Sequence, residues 1–535
     1  MLNKYKTILE TLLHLRFIQI YYQIYYRLRN SLFVKPALPR VSEKQSIQDR
    51  FKLYPFYPLG QHIQVFVDSS NRINFTFLNK SSAFRIKEID WNYEAHGKLW
   101  TYNLNYFEFL FYSELSHKTK VELLKSFCEN SSNLKDGLDP YPTSLRLINW
   151  VKYLISTNHH DEALERFIRA QGALLNKSIE YHLLANHLLE NAFALLFVSV
   201  FTGDQKIYQK AVRILKEELV EQILTDGAHF ERSVMYHQII LFRLLDSINL
   251  LKYNKADSEL LPVMEDKASS MISWLMTVTD NGKIFPQFND SSPSVAPSSL
   301  QLLEYFQGLS LKKKIGIKLG ASGFRFLSQG HLKILFSQGE IGPKYQPGHA
   351  HSDELNFLLW SADKPLITEI GISTYEKNDR RELERSTSAH NCIYVNSNNS
   401  SNVWGGFRVG KRAKVKLIED SQNEIAAIHD GFKEYGIFIY RKIKLINDGF
   451  EIEDLVEGWS VNFECFLNLH FHPKSNLSLK RNHILVDDVQ ISFEGYKILR
   501  VEKFMYANSF NHLEEANRLI FQAESKNKIT IRNVS

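Results

Sequence analysis

A chain of 535 residues exceeds one ordinary core, so two or three domains are expected. Its 44% apolar and 13% aromatic content excludes a disordered chain. A net charge of +6 suits an acidic polymer as substrate; the interleaved acids and bases, with no zinc-finger or RNP-type motif, speak against nucleic acid, and three scattered cysteines exclude a disulfide framework or a CxxC metal site.

The opening stretch, "MLNKYKTILETLLHLRFIQIYYQIYYRLRNSLF", is interrupted by Glu10, His14 and Arg16 and carries no A-x-A cleavage site. It reads as an amphipathic basic helix, not a cleavable signal peptide, and either docks on the domain or touches an anionic membrane surface. No segment reaches the roughly 20 apolar residues of a membrane span, and the longest candidate, "AFALLFVSVF", is about half that. This leaves a cytoplasmic or peripheral location as the default. The remainder of residues 1–90 holds the extended "LFVKPALPRV" and some strand-like pieces.

Residues 91–315 read as helical, with apolar positions recurring at three and four spacings in "TSLRLINWVKYLIS", "LANHLLENAFALLFVSVF" and "YHQIILFRLLDSINLLKY". Short connectors predict a bundle or a toroid of helical hairpins. Residues 316–535 change texture: short runs such as "AKVKLIED" and "FIYRKIKLI" alternate with period two between Asn, Asp, Gly and Ser clusters, predicting an antiparallel β-sandwich. The fold class is therefore α+β in sequence blocks, with a cleft between the blocks suited to a long ligand.

Four constellations carry chemistry. In "ANHLLEN", Asn186, His187 and Glu190 fall within an arc of about 100° on a helix, either as a polar cluster or as a stripe facing water. In "DGAHFERSVMYHQ", Arg232 and Tyr236 open the next helix; a lone Tyr there is often structural. In "PGHAHSDELNFLLW", His349, His351 and Asp353 alternate and would share a face of an extended chain. Downstream, Glu369, Tyr375, Arg385 and His390 flank strands. His351, Glu369 and His390 form a ligand set suited to a divalent ion, zinc first, or else hydrogen-bond inside the sandwich.

Taken together, "NHLLEN", "GAHFERSVMYH", "PQFNDSS", "PGHAHSDELNFLLW", "ERSTSAHNCIYV" and "VWGGFRVGKRA" resemble the heparinase II/III family of bacterial polysaccharide lyases, which has relatives acting on alginate. The resemblance implies an N-terminal (α/α) toroid, a C-terminal β-sandwich and β-elimination at a uronic acid. By it, Asn186 and His187 face the uronate carboxylate, Tyr236 is the base or the acid on the leaving oxygen, and His349 is a partner in proton transfer. Glu190 would orient His187, Arg232 and Arg385 would bind anionic groups or pair with neighbouring glutamates, and Tyr375 would support the site. His351, Glu369 and His390 would hold a structural metal, with Glu369 standing where the family usually has Asp. The implied partner is an acidic polysaccharide or oligosaccharide, and the family adds the periplasm as an alternative location. Two other classes stay open: a non-catalytic polysaccharide-binding or assembly protein, and a glycoside hydrolase using Glu190 and Glu231.

Overall fold

The computed structural model describes residues 2–32, 38, 51–56, 60–254, 259–481 and 483–534. The proline-containing stretch "LFVKPALPRV", apart from Leu32 and Leu38, lies outside them. The N-terminus forms two helices, α1 (Leu2–Leu12) and α2 (Phe17–Leu32), where the sequence suggested one. Both dock through polar bonds. Trp404 Nε1 donates to Thr11 Oγ1 at 3.1 Å and the Lys411 amide to Glu10 at 3.0 Å, while Tyr26 donates to the Ile179 carbonyl at 2.5 Å. The pair therefore straddles both halves of the molecule, with Leu13, Phe17, Ile24 and Leu28 left exposed on its outer side.

A small antiparallel sheet follows, β1 (Ile63–Val67), β2 (Ile73–Phe77) and β3 (Lys80–Phe84), which buries Phe75 and Phe77 against Phe109 and Trp100. The helical half then runs through α3 (Lys98–Tyr106), α4 (His117–Glu129), α5 (Pro140–Thr157), α6 (Glu162–Lys177), α7 (Ala185–Thr202), α8 (Gln205–Gln222), α9 (Val234–Asn254), α10 (Leu260–Val278) and α11 (Ser299–Gly308). Helix starts are fixed locally: Asp161 and Asp204 cap α6 and α8, and Ser298 with Gln301 makes a capping box on α11. Helix α7 is apolar almost all round, long and apolar enough to cross a membrane, yet 89% of it is buried. It is the central helix, packed against α5, α6, α8 and α9.

The C-terminal half is built of antiparallel strands in two eight-stranded sheets. One runs in the order Val415–Asp420, Glu424–Phe432, Ile437–Ile446, Gly449–Glu457, Lys526–Asn533, Val489–Glu494, His483–Val486, Leu477–Leu479. The other contains Lys497–Ser509, His512–Gln522, Cys465–Phe471, Lys364–Thr368, Phe357–Ser361, Leu332–Ser337 and Phe324–Gln329, with Ile393–Val395 also paired to Cys465–Phe471. Alternation places Ile437, Ile439 and Ile443 on one face, and these share a core with Phe336, Leu359 and Leu467 of the other sheet. Arg441 enters that core because Asp454 accepts from it at two points, at 2.6 and 2.9 Å. A short helix, α12 (Asp379–Glu384), carries Arg381, which meets Asp290 of the helical half at 2.6 and 2.7 Å.

Candidate active site

A cavity of about 670 Å³ lies where the two halves meet. Helices α3, α7 and α9 supply Tyr102, Tyr106, Asn186, His187, Tyr236 and Arg243, and the C-terminal half supplies His349, Tyr375, Lys377 and Phe407. Asn186, His187, Tyr236 and His349 thus line one hollow, as does Tyr375.

The start of α7 presents the first two. Leu184 (φ 61°) and Ala185 (φ 51°) both take positive φ, a cost of about 1–3 kcal/mol each that places Asn186 in the helix's first turn. The His187 Nδ1 lies 3.1 Å from Glu180 Oε1, and its ring packs 4.7 Å from that of Tyr141. Burial works against a charged imidazole here, but the Glu180 carboxylate outweighs it and raises the His187 pKa above its ordinary 6.5. Glu190, expected to orient His187, instead faces Arg243 Nε at 3.5 Å on the next helix face. Glu180, which meets His187 instead, comes from the loop that leads into α7.

Tyr236 sits in the first turn of α9, its amide bonded to Ser233 Oγ at 3.1 Å. Its ring stacks on His349 with centroids 3.9 Å apart, and its hydroxyl meets that of Tyr375 at 3.1 Å. Burial, then the neighbouring Tyr375 and Asp290, push the phenol pKa well above 10.0, so in the free protein it is protonated. His349 Nδ1 is held by Asp290 Oδ2 at 2.8 Å.

His349 and His351 both reach Asp290 but differ in their access to the cavity. His349 borders the cavity, while His351 is fully buried and bonded through Nε2 to Asp290 Oδ1 at 2.8 Å. Asp353 is buried too, and burial pushes its carboxyl up to about 7. The two arginines expected to bind anionic groups lie outside the cavity lining. Arg232 donates to the Glu340 carbonyl, and Arg385 to the Ala350 carbonyl at 3.1 and 3.0 Å. Arg385 is buried and Arg232 partly so, and each donates to a main-chain oxygen of a neighbouring loop. Sequence reasoning also passed over Asp290, Glu180 and Phe407, although Asp290 stands inside the quoted "PQFNDSS".

His351, Glu369 and His390 each offer a ligand atom within 4.8 Å of the others. His351 Nδ1, Glu369 Oε1 and His390 Nε2 are buried without a hydrogen-bond partner among the described residues. Buried polar atoms are rarely left so, and here the three orphans are the donors a cation would use. Burial lowers the His351 pKa to about 3, keeping the ring neutral as a ligand must be. The longer Glu369 is pinned through Oε2 by Asn356 at 2.7 Å and His390 Nδ1 at 2.8 Å, which leaves Oε1 free. Two imidazoles and a carboxylate fit zinc.

The chain matches two family models, the heparinase II/III N-terminus over residues 143–309 and the heparinase II/III-like C-terminal model over residues 312–534. The chain belongs to the heparinase II/III family. This family member is similar in fold to a solved heparinase III at 16% identity and a TM-score of 0.67, over 97% of this chain and 92% of that one. It is also similar to the heparan sulfate lyase HepC of Pedobacter heparinus, at 14% identity and a TM-score of 0.55, over 95% of this chain and 87% of that one. Among curated proteins, no sequence matches it.

Proposed function

We propose that the protein is a polysaccharide lyase that cleaves a uronic-acid-containing polysaccharide by β-elimination, on an (α/α) toroid followed by a β-sandwich. The observation that carries this reading is the face-to-face contact of Tyr236 and His349, contributed by opposite halves, in the same cavity as Asn186 and a His187 whose positive form is favoured. Family membership supports it.

The chemistry follows from charge. The C5 proton of a uronate is too weakly acidic while the adjacent carboxylate is ionised, so the enzyme must offset that charge. The Asn186 carboxamide and the His187 imidazole, whose charged form Glu180 favours, border the cavity, where their donors would stabilise an enolate-like charge. The His349 Nδ1 is engaged by Asp290, which leaves Nε2 to accept the C5 proton. The C4–O bond breaks as the C4–C5 double bond forms, and the Tyr236 phenol, protonated at rest, gives its proton to the leaving oxygen. Tyr375 holds the phenol by its hydroxyl.

His351, Glu369 and His390 would hold a divalent cation, which when bound would tie three segments of the β-half together behind His349. The test is a panel of heparan, alginate, hyaluronan and bacterial capsular polymers, followed by ultraviolet absorbance and product mass. Unsaturated ends, lighter by one water than hydrolysis products, are expected from at least one polymer. Saturated ends would select a hydrolase, and binding without products a non-catalytic carrier.

A further inference from the structure

We propose that Asp290 is a positioning residue that sets the tautomers of two histidines at once, His349 at the cavity and His351 in the cation cluster. Its kinetic consequence rests on the lyase reading above; its structural content does not.

Asp290 is fully buried in the loop between α10 and α11. Its Oδ1 accepts from His351 Nε2 at 2.8 Å and Arg381 Nη1 at 2.6 Å, and its Oδ2 from His349 Nδ1 at 2.8 Å and Arg381 Nη2 at 2.7 Å. A carboxylate gripped by a two-pronged guanidinium is ionised and accepts only. Each histidine must therefore present N–H to it. For His349 this fixes the proton on Nδ1 and turns Nε2 away from Asp290. For His351 it fixes the proton on Nε2 and leaves Nδ1, which has no hydrogen-bond partner among the described residues, for a cation. One carboxylate thus dictates which nitrogen faces the substrate in one ring and which faces the metal in the other.

The surroundings hold the arrangement rigid. Arg381 Nε donates to the Gly406 carbonyl at 3.0 Å, and the guanidinium lies 5.1 Å from the Tyr375 ring and 5.2 Å from that of Phe407. The Tyr236 stack fixes the plane of His349, and Asp290 fixes which of its two flipped orientations is used. The Asp290 amide also donates to the His349 carbonyl at 3.0 Å, so the main chains of the two halves are locked at the same point.

The test is long-range proton–nitrogen NMR on the full chain labelled with ¹⁵N-histidine, with His349→Gln and His351→Gln used to assign the two rings. In the wild type, His349 is expected to carry its proton on Nδ1 and His351 on Nε2. In Asp290→Asn the carboxamide oxygen is claimed by Arg381, so its NH₂ faces one histidine, and that ring must change tautomer. Where that ring is His351, zinc affinity is expected to fall about 10–100-fold; where it is His349, kcat on whichever polymer the wild type cleaves should fall at least about 100-fold, with KM changed less than about threefold. A wild-type His349 protonated on Nε2 overturns the proposal whether or not the variant folds. So does a folded Asp290→Asn protein that keeps both tautomers, whatever its activity. If the tautomers are as stated but no polymer yields unsaturated ends, Asp290's role as tautomer setter stands and the lyase reading falls.

Discussion

The ring of Tyr236 lies 3.9 Å from that of His349, centroid to centroid, with the planes 27° apart. One ring belongs to a helix of the N-terminal half and the other to a loop of the C-terminal half. The contact exists only when both halves are folded and joined, so the site depends on the seam between them.

Replacing Tyr236 with Phe keeps that stack and removes only the hydroxyl and its bond to Tyr375. Stability should fall by no more than about 1 kcal/mol, since one hydrogen bond is lost. Loss of the proton donor should lower kcat by about 10²–10⁴-fold. Product absorbance and a thermal melt check both halves of the prediction. Full activity in a folded Tyr236→Phe protein would remove the phenol from the mechanism.

The pH dependence has a definite sign. The folded pKa of His187 is raised above 6.5 because Glu180 outweighs the effect of burial, so its contribution to stability is full below 6.5 and is lost as pH rises through the folded value. Burial pushes the Glu180 pKa up, but His187 and Asn191 bring it net below 4.5, so its contribution is present above 4.5 and is lost as pH falls. The pair therefore stabilises most between those two values. In the proposed mechanism the imidazolium offsets the uronate charge, so kcat/KM should decline as pH rises through the His187 pKa. Glu180→Gln should move that decline to lower pH. A profile in which the alkaline limb does not move would detach His187 from it.

How far the sequence revealed this can be judged residue by residue. The order of helices and then strands follows from apolar periods of 3.6 and 2, and Ile437–Ile446 shows the second in its burial. Asn186 and His187 were legible because an amide and an imidazole interrupt an otherwise apolar helix. Asp290 was not, because its partners His349, His351 and Arg381 are distant in sequence and a loop has no period to betray which side chain turns inward. The partners of Arg232 and Arg385 were illegible for a related reason. A guanidinium suits a carboxylate or a main-chain oxygen equally well, and only the fold decides which it meets.

The proposed cation site at His351, Glu369 and His390 predicts a metal content. One zinc per chain is expected by elemental analysis, and Glu369→Ala or His390→Ala should bring it near zero. A chelator should lower the melting temperature of the wild type and leave that of the variants unchanged, because a bound ion stabilises only a state that holds the site. Equal melting curves with and without chelator in zinc-loaded wild type would refute a stabilising ion.

The Arg441–Asp454 pair predicts where the β-half is most fragile. Arg441 also donates to the carbonyls of Leu355 and Asn391 at 2.7 and 2.6 Å, and Tyr496 donates to Asp454. Asp454→Ala leaves a guanidinium buried without its counter-charge, at a cost of about 3–5 kcal/mol. Urea unfolding followed by circular dichroism should show it, whereas Glu451→Ala, which loses only a loose pair with Lys528 at 3.7 Å, should change stability by less than about 1 kcal/mol.

The charges lining the cavity predict which polymers it accepts. Lys98 is paired with Asp136 at 3.3 Å and with Asp139 at 3.0 Å, and Arg243 faces Glu190 at 3.5 Å and Asp246 at 3.6 Å. Glu108, Glu231 and Glu376 add carboxyl groups to the same lining, and Tyr102, Tyr106, Tyr141 and Phe407 add aromatic surface. Such a wall can meet one uronate carboxylate through Asn186 and His187 and can stack neutral sugar faces. Beyond Lys377 it offers little to a dense row of sulfates, each of which would need its own donor to replace lost hydration. Unsulfated uronate polymers should therefore show the higher kcat/KM, and in Tyr236→Phe protein the tighter binding, than sulfated counterparts of the same backbone. Tighter binding of the sulfated chain at physiological ionic strength would show that the pairing of Lys98 and Arg243 yields to substrate, and would defeat the prediction.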